Sequence, residues 1–205
     1  MPQPRRAPAS EPPRAWQRML SGRRLDLLNP SPLDVEIEDI AHGIARVARW
    51  NGQTSGHHPF SVAQHSVLVE EILGRLPGKP TAADRLVALI HDAPEYVIGD
   101  MISPFKAALG IDYRAFEDRL MAAIHIRFGL PPEPAEALKK KIKRADRAAA
   151  YFEATQLAGF TATEATKFFG RPRFEGAADL KLEPLPTEKA QAQFLKRFEA
   201  LLKRL

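Results

Sequence analysis

The chain has 205 residues, 44% of them hydrophobic and 27% charged, enough for one folded unit with a substantial core. It contains no cysteine, which excludes disulfides and thiolate metal sites, and no apolar run of membrane-spanning length or signal-peptide type, so no membrane partner and a cytoplasmic location are expected. The net charge of +5 invites a nucleic-acid reading, but the cations lie in an N-terminal arm and in Lys139-Lys140-Lys141 with Lys143 and Arg144, without interleaved aromatics; a nucleic-acid partner is not expected.

Residues 1–15 are rich in proline and arginine and too poor in apolar side chains to pack, which predicts a disordered arm. Trp16, Met19 and Leu20 have helical spacing, and Asn29-Pro30-Ser31-Pro32 marks a turn. Ile37, Ile40, Ala41, Ile44 and Val47 predict a helix that delivers Arg49-Trp50 at its end. After a polar loop with His57-His58, Ser61 and Gln64 have capping-box spacing and start a helix through His65 to Leu76. Thr81 caps the next helix, which runs into His91-Asp92, and Glu95 to Ala108 reads as an acidic connection.

Asp112 opens an amphipathic helix through Phe116, Leu120, Ile124 and Phe128, stopped by Gly129 and two prolines. A long helix follows from about Pro134 to Leu157, then a short turn and an irregular stretch. Thr187 starts a last helix with Phe194, Leu195, Phe198, Leu201, Leu202 and Leu205 on one side; this apolar face makes a homodimer plausible. No strand pattern is visible, so the expected fold is all-α, with residues 161–205 as a C-terminal extension whose terminal helix packs on a domain formed by residues 16–160.

Four side chains on three of these elements suggest one metal site: His65, His91, Asp92 and Asp146. Imidazole nitrogens and carboxylate oxygens suit one divalent ion, among Zn, Mn, Co, Ni, Fe and Mg, and leave positions for water and substrate. Neighbouring helical residues diverge by about 100°, so His91 and Asp92 converge only if the helix ends there; Pro94, lacking an N–H, predicts that end. Asp146 falls on the apolar stripe of Leu138, Ile142, Ala145, Ala149 and Phe152, and a buried carboxylate requires a partner.

Arg49-Trp50, Ser61-Val62-Ala63-Gln64-His65-Ser66, His91-Asp92-Ala93-Pro94-Glu95 and Gly99-Asp100, in this order, resemble the HD-domain phosphohydrolase superfamily. Within it they look like the 5′-nucleotidases of deoxyribonucleoside monophosphates, and equally like a phage triphosphohydrolase of deoxyadenosine triphosphate. The resemblance covers roughly residues 49–157 and implies an HD-type catalytic domain, a helical bundle with the metal between helices. Gln64 departs from the pattern, standing where an acidic residue commonly precedes the first histidine.

The resemblance implies that Glu95 orients or deprotonates water, while Asp100 can protonate the leaving oxygen. Arg49 offers a planar fork of donors to phosphate, Trp50 a ring for base or sugar, and Lys106 a further cation. His57 or His58 can bind substrate or add a ligand for a second metal; His42 and His125 read as surface or near-stripe residues. The expected function is hydrolysis of deoxyribonucleoside 5′-monophosphates, a small-molecule nucleotide substrate. The alternatives are a triphosphohydrolase and, from another class, a nucleotide- or nucleic-acid-binding module with an inactive site.

Overall fold

Proline, glycine and hydroxyl caps divide the chain into eight α-helices among residues 15–100 and 113–205, the part described by a computed structural model. These are α1 (Ile37–Ile44), α2 (Val62–Arg75), α3 (Ala82–Leu89), α4 (Glu95–Ile98), α5 (Tyr113–Arg127), α6 (Glu136–Gln156), α7 (Ala162–Phe169) and α8 (Thr187–Leu202). The protein is therefore a helical bundle, as the hydrophobic spacing predicts. Its first element differs from expectation. Trp16–Arg18 (β1) pairs antiparallel with Arg24–Asp26 (β2) around a turn at Gly22, whose φ of 89° suits glycine. Strands of three residues are too short to show alternation, and the Trp16, Met19, Leu20 spacing is no helix.

Local capping sets the other boundaries. Thr81 and Asp84 form a complete capping box at α3, and Thr161 with Glu164 forms another, which makes the expected short turn a full two-turn helix, α7. Ser61 caps α2 by accepting from Gln64 N–H, but the Gln64 side chain does not return to the cap. It donates to the Glu183 carbonyl at 2.9 Å and accepts from Leu185 N–H at 3.1 Å, tying the irregular segment before α8 to α2. The expected acidic connection after Asp92 begins as a helical turn, α4. Gly43 lets α4 approach α1, because a Cβ there would lie 2.7 Å from Cβ of Tyr96.

α2 is the central helix, with Val62, Val69, Ile72 and Leu73 buried among α3, α6 and α8. The last helix is part of this core. Phe194, Phe198 and Leu201 are buried within the chain's own interior, leaving Leu202 and Leu205 as its exposed leucines, so the face from which a homodimer was expected is already covered. A charged pin holds the same junction. Glu70 of α2 is fully buried and accepts from Arg85 at the α3 end and from Nε of Arg197 on α8 at 2.5 Å. Replacing Glu70 with Ala leaves two guanidiniums unpaired; since both reach water, the expected cost is about 2–3 kcal/mol in denaturant unfolding. A change below about 0.5 kcal/mol would show that the pin is dispensable.

Candidate metal centre

Three helices bring the expected ligands together. His65 sits in the first turn of α2, His91-Asp92 in the turns that follow α3, and Asp146 midway along α6. α3 ends at Leu89, and the chain passes through successive turns to Pro94, the N-cap of α4; both His91 and Asp92 therefore face the same point. Ligand atoms of His65, His91 and Asp146 lie within 4.8 Å of one another. Asp92 Oδ2 adjoins them, 3.3 Å from His65 Nε2 and 3.2 Å from His91 Nε2.

Each imidazole is oriented through its other nitrogen. His65 Nδ1–H donates to Glu153 Oε1 at 2.5 Å, and His91 Nδ1–H donates to the Ala88 carbonyl at 2.8 Å, which leaves both Nε2 atoms toward the cluster. His65 Nε2 is buried without a hydrogen-bond partner, although Asp146 Oδ1 stands 3.4 Å away and Asp92 Oδ2 3.3 Å. Ligands about 2.1 Å from a shared ion stand roughly 3.0–3.4 Å from each other, so these separations fit donors around one ion. The donor set, two imidazoles and carboxylate oxygen without sulfur, fits the divalent metals expected from the sequence.

Glu153 was not anticipated. It lies seven residues after Asp146 on the same face of α6, is fully buried, and accepts from three groups: His65, Nε of Arg49 at 3.3 Å and Nε1 of Trp50 at 2.8 Å. Burial alone would raise its pKa, but His65 and Arg49 outweigh that and hold it at about 2. Burial and the Arg49 charge oppose protonation of His65, yet Glu153, Asp146 and Asp92 prevail and keep its pKa well above the ordinary value. Asp92 and Asp146 are likewise lowered despite burial, Asp92 chiefly by His91 and Asp146 chiefly by His65.

Arg49 spans Glu153 and Asp100, with Nη1 3.2 Å from Asp100 Oδ2, so the expected proton donor Asp100 is engaged in holding a guanidinium. Trp50 differs from expectation. Its backbone is left-handed (φ 57°), its N–H is bound to Glu153, and its ring packs against Phe160 and Phe169 at 5.6 and 5.9 Å. The indole seats Glu153 and is not free to stack on a base. A tryptophan at positive φ is strained by about 1–3 kcal/mol, and these contacts offset the cost. Lys106 lies outside the described residues. His57 and His58 are exposed on their loop, outside the cluster.

A cleft of about 230 Å³ opens beside the cluster, lined by His91, Asp92 and Asp146 together with Lys139, Lys143 and His125. Lys143 Nζ donates to Asp146 Oδ2 at 2.7 Å, and buried His125 has its Nδ1 on the Pro131 carbonyl and its Nε2 unpartnered. His125 is thus a cleft residue, which a position one step off the apolar stripe does not signal.

Glu95, in the first turn of α4, is buried and its Oε2 has no partner. Burial, then the charges of Asp92 and Asp100, push its pKa up to about 9 against the opposing Arg49 and His65. The metal-free folded chain holds this proton through a window, from 4.5 to about 9, in which the unfolded chain has lost it; rising pH therefore destabilises the fold there. Chelator-treated wild type should lose up to about 1.4 kcal/mol per pH unit from Glu95, and Glu95→Gln should flatten the slope. Equal slopes in urea unfolding at pH 6 and pH 8.5 would place the Glu95 proton elsewhere.

No family model matches the chain. It is 54% identical over 192 residues to a Rhodobacter capsulatus protein named only as uncharacterized, RCAP_rcc00048; the match covers 94% of this chain and 98% of that protein. It is 35% identical over 99 residues to the Escherichia coli protein YfdR, also named as uncharacterized, across 48% of this chain and half of YfdR.

Proposed function

We propose that this chain, which belongs to the same family as RCAP_rcc00048 of Rhodobacter capsulatus, is a metal-dependent phosphohydrolase of the HD-domain type that releases phosphate from deoxyribonucleoside 5′-monophosphates. The observation that carries the reading is the buried, unpartnered Nε2 of His65 beside His91, Asp92 and Asp146. These four residues would hold one divalent ion. The chemistry such an ion supplies when bound is neutralisation of phosphoryl oxygens and acidification of water.

The chain's own residues do the rest. Glu153 fixes the tautomer and orientation of His65, while Arg49, held by Glu153 and Asp100, presents positive charge toward Asp92 and Glu95. Lys143, reaching Asp146 from the cleft, is a second cation for the phosphate. Glu95 is the proton carrier: it would release its proton to a bound cation's opposition of the Asp92 and Asp100 charges that hold it, and the resulting buried carboxylate takes a proton from attacking water more readily than an exposed one. Water's oxygen forms a bond to phosphorus, the bond to the sugar 5′-oxygen breaks, and the proton taken by Glu95 ends on that oxygen. Asp100 serves this step by positioning Arg49.

Asp146→Ala should lose the bound metal and melt at a lower temperature, because the site ties α2, α3 and α6 together. Glu95→Gln should keep the metal but lower turnover about 10²–10⁴-fold. Metal analysis and phosphate release from a panel of deoxyribonucleotides check both. A metal-loaded wild type that releases phosphate from none of them, or normal turnover in Glu95→Gln, would contradict the reading; tripolyphosphate release from triphosphates alone would move it to that substrate class.

A further inference from the structure

A groove of about 490 Å³, larger than the metal cleft, shares Lys143 with it. Its lining includes Lys140, Lys143, Arg144 and Arg147 from α6 and Arg171 and Arg173 from the segment after α7, and contains no Asp or Glu. The four α6 cations recur at i, i+3, i+4 and i+7, so they form one stripe about 10 Å long at roughly 1.5 Å per residue. Arg144 donates to the Arg173 carbonyl at 3.5 Å, joining the two walls. Among the described residues, Lys140, Arg147, Arg171 and Arg173 have no ion-pair partner. Like charges facing each other across a concavity repel, which favours an anionic occupant.

Aromatic rings lie in the same groove. Phe169 and Phe174 line it, the first packed edge-on against Trp50 and the second against Phe152. The sequence around Lys139 to Arg144 has no aromatic residue; the fold brings these two from the facing segment. Cations along two walls match successive phosphates of an extended strand, and the half-buried edges of these two rings add apolar surface beside them. A mononucleotide has too few phosphates for six cations, and a nucleoside polyphosphate concentrates its charge at one end.

We infer that this groove binds the sugar–phosphate chain of a single-stranded oligonucleotide and presents its terminal phosphate to the cluster of His65, His91 and Asp146. Binding stands on the groove alone; the fate of the phosphate rests on the function proposed above. Hydrolysis there forms a bond from water oxygen to phosphorus, breaks the bond to the terminal sugar oxygen, which takes the proton, and leaves the strand intact.

The test is fluorescence anisotropy of 3′-labelled, 5′-phosphorylated hexathymidylate on the full chain at several salt concentrations, with phosphate release measured separately. The hexamer should bind about ten-fold or more tighter than thymidine 5′-monophosphate, with a log–log salt slope of about −2 or steeper, each phosphate contact contributing about −0.7. The R147E/R171E/R173E variant should lose at least about ten-fold in hexamer affinity, and its slope should flatten by about 2, at unchanged melting temperature and metal content. A hexamer bound no tighter than the monophosphate, a wild-type slope near −0.7, or equal displacement by a glutamate peptide of the same charge would overturn the inference. Hexamer binding without phosphate release from any nucleotide would support the groove while overturning the proposed reaction.

Discussion

Glu153 carries a charge in a place without water, and the cost of removing a carboxylate from water is large unless donors surround it. Three donors do so, and each is a part of the candidate centre: the imidazole of His65, the guanidinium of Arg49 and the indole of Trp50. Trp50 in turn occupies a left-handed backbone position and leans on Phe160 and Phe169, so the α6–α7 junction is coupled to the first turn of α2 through one side chain. Satisfying Glu153 orients His65, and that orientation leaves Nε2 facing Asp92 and Asp146. The centre is the consequence of a buried charge that has been correctly paired.

The same device recurs at a second place with a different outcome. Glu70, also fully buried on α2, is paired with Arg85 and Arg197 and fastens α3 and α8 to the central helix. There both partners are permanent cations, so the result is a structural clamp. At Glu153 one partner is a histidine with a second, unsatisfied nitrogen, and the pairing is left open to a further ligand. Helix α2 thus carries a closed ionic junction at Glu70 and an open one at His65, about one and a half turns apart.

The clustering of these side chains was legible because they break the pattern around them: His91-Asp92 beside Pro94, and Asp146 on an apolar stripe, need an explanation that an isolated helix does not offer. Helix starts at Ser61 and Thr81 were legible because capping is local. Glu153 stands on the same face as Asp146 and offered the same signal, but its partner His65 is 88 residues away, and a charge on a stripe does not reveal what faces it. The apolar face of α8 supported two expectations at once, packing on the domain and a homodimer, because such a face reads alike whether it meets the chain's own core or a second copy. The β1–β2 hairpin is too short to print a period, and the basic groove joins Lys140–Arg147 to Arg171–Phe174, segments whose juxtaposition only the fold creates.

Anomalous diffraction from crystals of the protein loaded with Mn²⁺ or Zn²⁺ tests the central claim most directly, since it locates the ion without reference to activity. One strong peak is predicted about 2.0–2.3 Å from His65 Nε2, His91 Nε2 and a carboxylate oxygen of Asp146, with His65 Nδ1 still on Glu153. A crystal with no peak there, or with His65 Nε2 hydrogen-bonded directly to a carboxylate in metal-saturated protein, would contradict the account.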